Sequence, residues 1–363
     1  MPTVIRAETI GSMLRPEQLK TARAEHAAGK LSTHEFKRLE DGAVDDAIAI
    51  QERAGLDVIT DGEMRRSSFI GPLTDVVAGV GLVAGETATW RDETGDKPHE
   101  QPAIVARLTP RRSLATEEFA YARSRASKTV KVTLPSPLML ALTWSPRYSA
   151  AVYSDPFECF ADAARIITAE ARTLVELGCQ YIQIDAPELA TLVDPGQRQY
   201  YEAAGIAPAQ LLSEGVDLLN EMVADVKAAR LGLHLCRGNN AGQWLAEGGY
   251  DEISAQVFRR TGNYDVFLLE YDDPAREGGF EPLRDVPDDK VVVLGLVSTK
   301  RSELEDPAAL ITRIDDAARY FPREQLALSP QCGFASVIDG NPVPWEVQEA
   351  KFRLVADIAH QVW

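Results

Sequence analysis

Two side chains with metal-binding chemistry stand two residues apart in the stretch Leu231-Gly-Leu-His-Leu-Cys-Arg-Gly-Asn-Asn240. The stretch begins as an apolar strand and ends as a polar loop. Along a strand, residues i and i+2 project to the same face, so the imidazole of His234 and the thiol of Cys236 point into one space. Zinc accepts both as ligands. An isolated His-x-Cys is more often a buried structural cysteine beside a core histidine. A metal site therefore requires two more ligands at the same end of the fold.

The elements that would bring them there form a regular beat. Eight short apolar runs are expected as strands: 4–10, 58–60, 130–134, 181–184, the run ending at His234, 266–269, 291–294 and 326–328. Most are followed by helical periodicity. One helix should start at Pro16. Another should start at the capping-box match Ser32-x-x-Glu35 and run to about Ala54, with Gly55 as its stop. Others are expected over 156–177, about 208–229 and near 306–320. The last, from Pro344, would turn Val347, Ala350, Leu354 and Ile358 inward. This pattern predicts an α/β fold, a (β/α)8 TIM barrel in a single domain over 1–363. Residues from about 71 to 127 break the beat and read as a hairpin-like insertion after the second strand, a lid or an interface arm. A doubly wound open sheet is the alternative. It would gather its ligands at one switch point, whereas here polar residues follow nearly every strand.

In a barrel the C-terminal strand ends meet at one face, where active sites sit. The sequence puts Ser12, Glu63, Asp185, His234, Cys236, Glu270 and Cys332 there. His234 and Cys236 from the fifth strand, Glu270 from the sixth and Cys332 from the eighth make a plausible tetrahedral Zn²⁺ set. Each carboxylate could instead cap the helix that follows it. Cys159 and Cys179 fall in or just after a helix and read as core. His26, His34, His99 and His360 read as surface.

Composition bounds the function classes. A chain of 363 residues with 45% hydrophobic content can bury a large core. Its 4 cysteines show no paired spacing, and no apolar run follows Met1, so a reducing, cytoplasmic setting with free thiols is expected. No stretch approaches the roughly 20 apolar residues of a membrane span. A net charge of −17 argues against nucleic acid or an anionic membrane as partner. These bounds suit an enzyme of small molecules.

The strand-end motifs together resemble a known family, the catalytic C-terminal half of cobalamin-independent methionine synthase, and more closely its short single-barrel relatives. Ile10-Gly-Ser12, Asp61-Gly-Glu63 and Leu134-Pro-Ser-Pro137 look like the first three strand loops of that family. Ile182-Gln-Ile-Asp-Ala-Pro187 is close to its Ile-Gln-Ile-Asp-Glu-Pro, and His234-x-Cys236, Glu270 and Cys332-Gly333 fall where its zinc ligands lie. The resemblance implies zinc-dependent transfer of a methyl or other alkyl group from a donor to a small-molecule thiol such as homocysteine. Ser12, Glu63 and Asp185 would then hold the amino-acid part, and Glu270, the hardest ligand, would yield to the incoming thiol. A homo-oligomer and a corrinoid protein as methyl carrier stay open. There are departures from the family. The histidine of the seventh-strand loop, which protonates the leaving group, is replaced by Ser298-Thr-Lys300. Lys300 is thus the candidate catalytic group there, a poor acid near neutral pH unless burial lowers its pKa. This weakens the case for methyltetrahydrofolate and favours an activated donor. Arg65, Arg66 and Arg237 also differ. The short relatives include epoxyalkane:coenzyme M transferases, and an arginine near zinc, Arg237 above all, would suit a sulfonate-bearing thiol. A barrel with a purely structural zinc is the remaining alternative.

Overall fold

The structure, a computed structural model, describes residues 5–363. Nine strands are named in chain order: β1 (Val58–Ile59), β2 (Val77–Asp92), β3 (Gly95–Pro110), β4 (Thr129–Pro135), β5 (Tyr181–Asp185), β6 (Arg230–Leu235), β7 (Val266–Glu270), β8 (Val291–Val297) and β9 (Leu326–Pro330). Seven of them form one parallel sheet in the order β1-β4-β5-β6-β7-β8-β9. The segment before them closes it. Ala7 bridges Leu328 of β9 and Glu8 bridges Val58 of β1, both in parallel. The ring is the expected eight-stranded TIM barrel. Its first strand is reduced to those bridges, and Val4 lies outside the described residues.

Alternation along the strands separates two apolar layers. Val266, Leu268, Val291 and Val293 turn into the barrel, whereas Phe267, Leu269, Val292 and Leu294 pack under the outer helices. Strands buried on both faces read as continuous apolar runs, which is why they stand out in the sequence.

Helix Thr33–Arg53 starts at the expected capping box, Ser32 Oγ accepting from Glu35 N, and Gly55 follows it with φ 87°. Helix Pro156–Glu176 is capped by Asp155. The stretch expected as one helix over 208–229 instead stops at Met222 and contains a π-helical turn at Leu211–Gly215. The C-terminal helix Trp345–Val362 turns a different face inward from the one expected. Gln348, Lys351, Phe352 and Val355 are buried with Ile358, while Val347, Ala350 and Leu354 are half-exposed. Two polar residues shift the phase because each has a buried partner. Gln348 Oε1 accepts from Leu14 N, and Lys351 Nζ pairs with Glu305.

The stretch that breaks the beat is a long antiparallel hairpin, β2–β3, followed by helix Thr116–Arg125. Arg91 and Trp244 exchange backbone hydrogen bonds, and the Arg91 guanidinium pairs with Asp194 at 2.7 Å. These contacts hold the hairpin against the C-terminal mouth of the barrel.

Candidate active site

The face of β6 that turns into the barrel carries Gly232 and His234, with Cys236 just beyond the strand end. A side chain at Gly232 would press on Leu268 and Tyr181, so glycine is what lets those two side chains fill the barrel interior beside β6. His234 Nδ1 lies 3.2 Å from the Leu268 carbonyl and donates to it, and Nε2 has no hydrogen-bond partner among the described residues although it is buried. Cys332 arrives from the loop after β9. That loop passes so close to the first-strand loop that a Cβ at Gly333 would collide with Ser12 Oγ. His234, Cys236 and Cys332 bring their ligand atoms within 4.8 Å of one another, all three residues buried. The hydrogen bond between the two sulfurs holds Cys332 well below the ordinary thiol range and Cys236 well above it. Burial works against a charged His234, but Cys332 and Asp185 outweigh it and raise the imidazole pKa. One nitrogen and two sulfurs gathered in one buried space, with His234 Nε2 lacking a hydrogen-bond partner among the described residues, fit a zinc ion by donor chemistry.

Glu270 does not join these three. It groups with Asp272 and Glu277. Its Oε1 is 2.7 Å from Lys300 Nζ, and its Oε2 accepts from the Arg237 backbone N–H. In a buried space the nearest cation takes the carboxylate, which is why Glu270 stands apart. Lys300 is likewise tied up. Burial would lower its pKa, but Asp272 and Glu270 outweigh this and lift it above the ordinary lysine range. It is neither an acid near neutral pH nor part of the cavity wall. Arg237, expected near a substrate anion, turns away. Its guanidinium donates to the carbonyls of Gly248 and Glu270 and lies 4.2 Å above the Tyr250 ring. Arg65 pairs with Asp41 and Arg66 with Glu118.

The remaining predicted residues converge on one cavity of about 290 Å³, which Ser12, Glu63, Asp185, His234, Cys236 and Cys332 all line. Glu63 takes the left-handed backbone region at φ 53°, uncommon for a residue with a Cβ. Its N–H donates to Asp61, its Oε1 accepts from Thr133 at 2.7 Å, and its Oε2 is buried without a partner among the described residues. Asp185 ends β5 in register with His234 and accepts from Gln183 at 2.6 Å. Burial, only partly offset by His234, pushes its pKa up to about 7. Among the described residues, no lysine or arginine lines the cavity.

Sequence patterning missed two contributions. Glu188 reads as an ordinary first-turn acid after Pro187, yet it is fully buried and lines the cavity. Its place three residues after Asp185 was the available signal. His99, expected at the surface, is half-buried on the hairpin and lies 2.8 Å from Gln243, and with Trp90 it forms part of the cavity wall. Alternation alone does not say which barrel end a hairpin meets. Cys159 and Cys179 lie in the core as expected, His34 and His360 are exposed, and His26 is half-buried.

Residues 4–360 match the pattern of the cobalamin-independent synthase catalytic domain. The chain belongs to that family. It is 35% identical over 368 residues to the uncharacterised protein YxjG of Bacillus subtilis, covering 99% of this chain and 94% of the relative. It is 27% identical over 336 residues to a methionine synthase of Saccharolobus solfataricus, covering 92% and 88%. A solved Listeria monocytogenes structure, described as a vitamin-B12-independent methionine synthase, superposes with a TM-score of 0.72 at 26% identity, covering 100% of this chain and 99% of that one. The B12-independent methionine synthase of Shewanella sp. W3-18-1 shares the fold, with a TM-score of 0.75 at 18% identity, covering 99% and 98%. No helix among the described residues of this family member is long and apolar enough to cross a membrane.

Proposed function

We propose that the protein transfers a methyl group, or a related alkyl group, to a small thiol such as homocysteine, with zinc held by His234, Cys236 and Cys332. The observation that carries this reading is the convergence of those three donors on a cavity that also presents unpaired carboxylate oxygens. Zinc bound there would lower the pKa of an incoming thiol and keep its sulfur nucleophilic near neutral pH. The chain's own residues bind and orient. Asp185 and Glu63 receive the substrate ammonium, which draws the Asp185 proton off. Ser12, pinned by the Gly333 loop, supports the same end. Trp90, Met139 and Leu142 exclude water from the reacting atoms. The short relatives that add thiols to epoxides would need a cation for a sulfonate, and the described cavity wall offers none, so methyl transfer to an amino-acid thiol is the better reading.

The test uses zinc-loaded protein. Homocysteine should change the zinc-edge absorption spectrum by adding a sulfur neighbour, and a methyl donor should then yield methionine in a single turnover. A spectrum indifferent to thiols, with no methionine from any donor, would leave a barrel with a closed structural metal.

A further inference from the structure

Three residues beyond Asp185, the fully buried Glu188 reaches the cavity with one oxygen bound and one bare. Its Oε1 accepts the Ser136 hydroxyl at 2.6 Å. The Ser136 oxygen itself accepts from Leu138 N at 3.0 Å, so its single proton is committed to Glu188. Oε2 is buried and has no partner among the described residues. The titratable groups within reach there are Asp185 at the end of β5 and the phenols of Tyr201 and Tyr264, none of them cationic. Burial, opposed mainly by the Ser136 bond, pushes the carboxyl up to about 8. The group is therefore mostly neutral at pH 7, and because Ser136 donates to Oε1, the proton belongs on Oε2. Glu188 feels the charge of Asp185, Asp185 in turn feels His234, Glu63 and Cys332, and both acids line the cavity on which the two thiols converge.

Moving a methyl group from an amine to a thiolate expels nitrogen with an electron pair, and that nitrogen needs a proton. Lys300 does not supply it, being held above its ordinary range and outside the cavity wall. We propose that the Glu188 carboxyl is the proton donor to the leaving nitrogen of an N-methyl donor, a role that rests on the thiol-methylation reading above. In the step, an electron pair of the substrate sulfur forms the S–C bond. The C–N bond breaks with its pair on nitrogen, and that pair takes the Oε2 proton. Glu188 is left as a carboxylate that keeps the Ser136 hydrogen bond and regains a proton from water once product leaves. The departure at residues 298–300 removes an acid from one loop, while the short helix Pro187–Thr191 after β5 carries another.

Glu188→Gln is close to isosteric with the neutral acid and retains an acceptor for Ser136, but it has no proton to give. Zinc-loaded wild-type and variant protein would be compared in single-turnover methylation of homocysteine by methyltetrahydrofolate and by S-methylmethionine, whose leaving thioether needs no proton. The expected result is a fall of roughly 10²–10⁴-fold with the folate and a change within about threefold with the sulfonium. Equal loss with both donors would mark a packing or binding role and overturn the proposal. So would an undiminished folate rate in the variant, or wild-type protein that accepts the sulfonium alone. Wild-type protein that accepts neither donor would remove the thiol-methylation reading itself.

Discussion

A histidine that donates from Nδ1 to a backbone carbonyl has its other nitrogen fixed in direction. For His234 that direction is toward Cys236 and Cys332, and the bond to Leu268 is the kind of outer contact that orients a metal-ligating imidazole. The prediction at this scale is metal content. Wild-type protein should carry about one zinc per chain, and Cys236→Ser and Cys332→Ser should each lose most of it. Glu270→Gln should keep more than either, because Glu270 is already held by Lys300 and the Arg237 N–H. Atomic absorption on the purified variants decides, and full occupancy in both serine variants would sink the site. His234 and Cys236 were readable in advance because i and i+2 on a strand share a face whatever surrounds them, and Cys332 because it follows another strand at the same end of the barrel. The partners of Glu270, Lys300 and Arg237 were not readable, because which cation reaches which carboxylate depends on loops that meet only in the folded barrel. Glu188 was hidden for a related reason, since an acid after proline at a helix start has a sufficient local explanation.

Among the elements, the β2–β3 hairpin links the irregular part of the chain to the cavity. The sequence marks it as hairpin-like through alternation and turn residues, but its length and the barrel end it meets depend on contacts such as Arg91 to Asp194. That carboxylate also accepts from the backbone N–H groups of Gly196 and Glu247, so losing the guanidinium does not leave it unsatisfied. Arg91→Ala should therefore cost little global stability, on the order of 1 kcal/mol, while loosening the hairpin where it docks. Hydrogen exchange is the measurement. Amides of 77–110 should exchange several-fold faster, those of β5 and β6 should not change, and zinc should stay bound. Uniform protection across the hairpin would mean that the Arg91–Trp244 backbone bonds hold it unaided. The seven named barrel strands were readable because both of their faces are buried. The π-helical turn at Leu211–Gly215 was not, because a single glycine such as Gly215 is tolerated inside a helical pattern and does not by itself mark such a turn.

For the whole molecule, the weak point is ring closure. The segment at Ala7–Glu8 joins β9 to β1 through single bridges, and β1 itself has two residues. Inside the barrel a buried pair spans that seam. Lys131 Nζ on β4 lies 2.6 Å from Glu8 Oε2 and 2.5 Å from the Thr9 carbonyl, and Tyr181 OH donates to Glu8 at 3.2 Å. Both charged side chains are almost wholly buried, and burial pulls Lys131 below the ordinary lysine range against the hold of Glu8. Because the segment runs on to Ser12, the same pair helps set the position of a site residue. Removing one partner from a buried pair leaves an uncompensated charge, so Lys131→Met should destabilise the zinc-loaded protein by roughly 3–5 kcal/mol. Replacing both, as Lys131→Met with Glu8→Gln, removes the stranded charge and should recover most of that loss, with a coupling well above what distant sites show. Denaturant unfolding of the four proteins of the cycle measures it. If Lys131→Met alone unfolds at the wild-type midpoint, the bridges at Ala7 and Glu8 close the barrel without help from the charge pair.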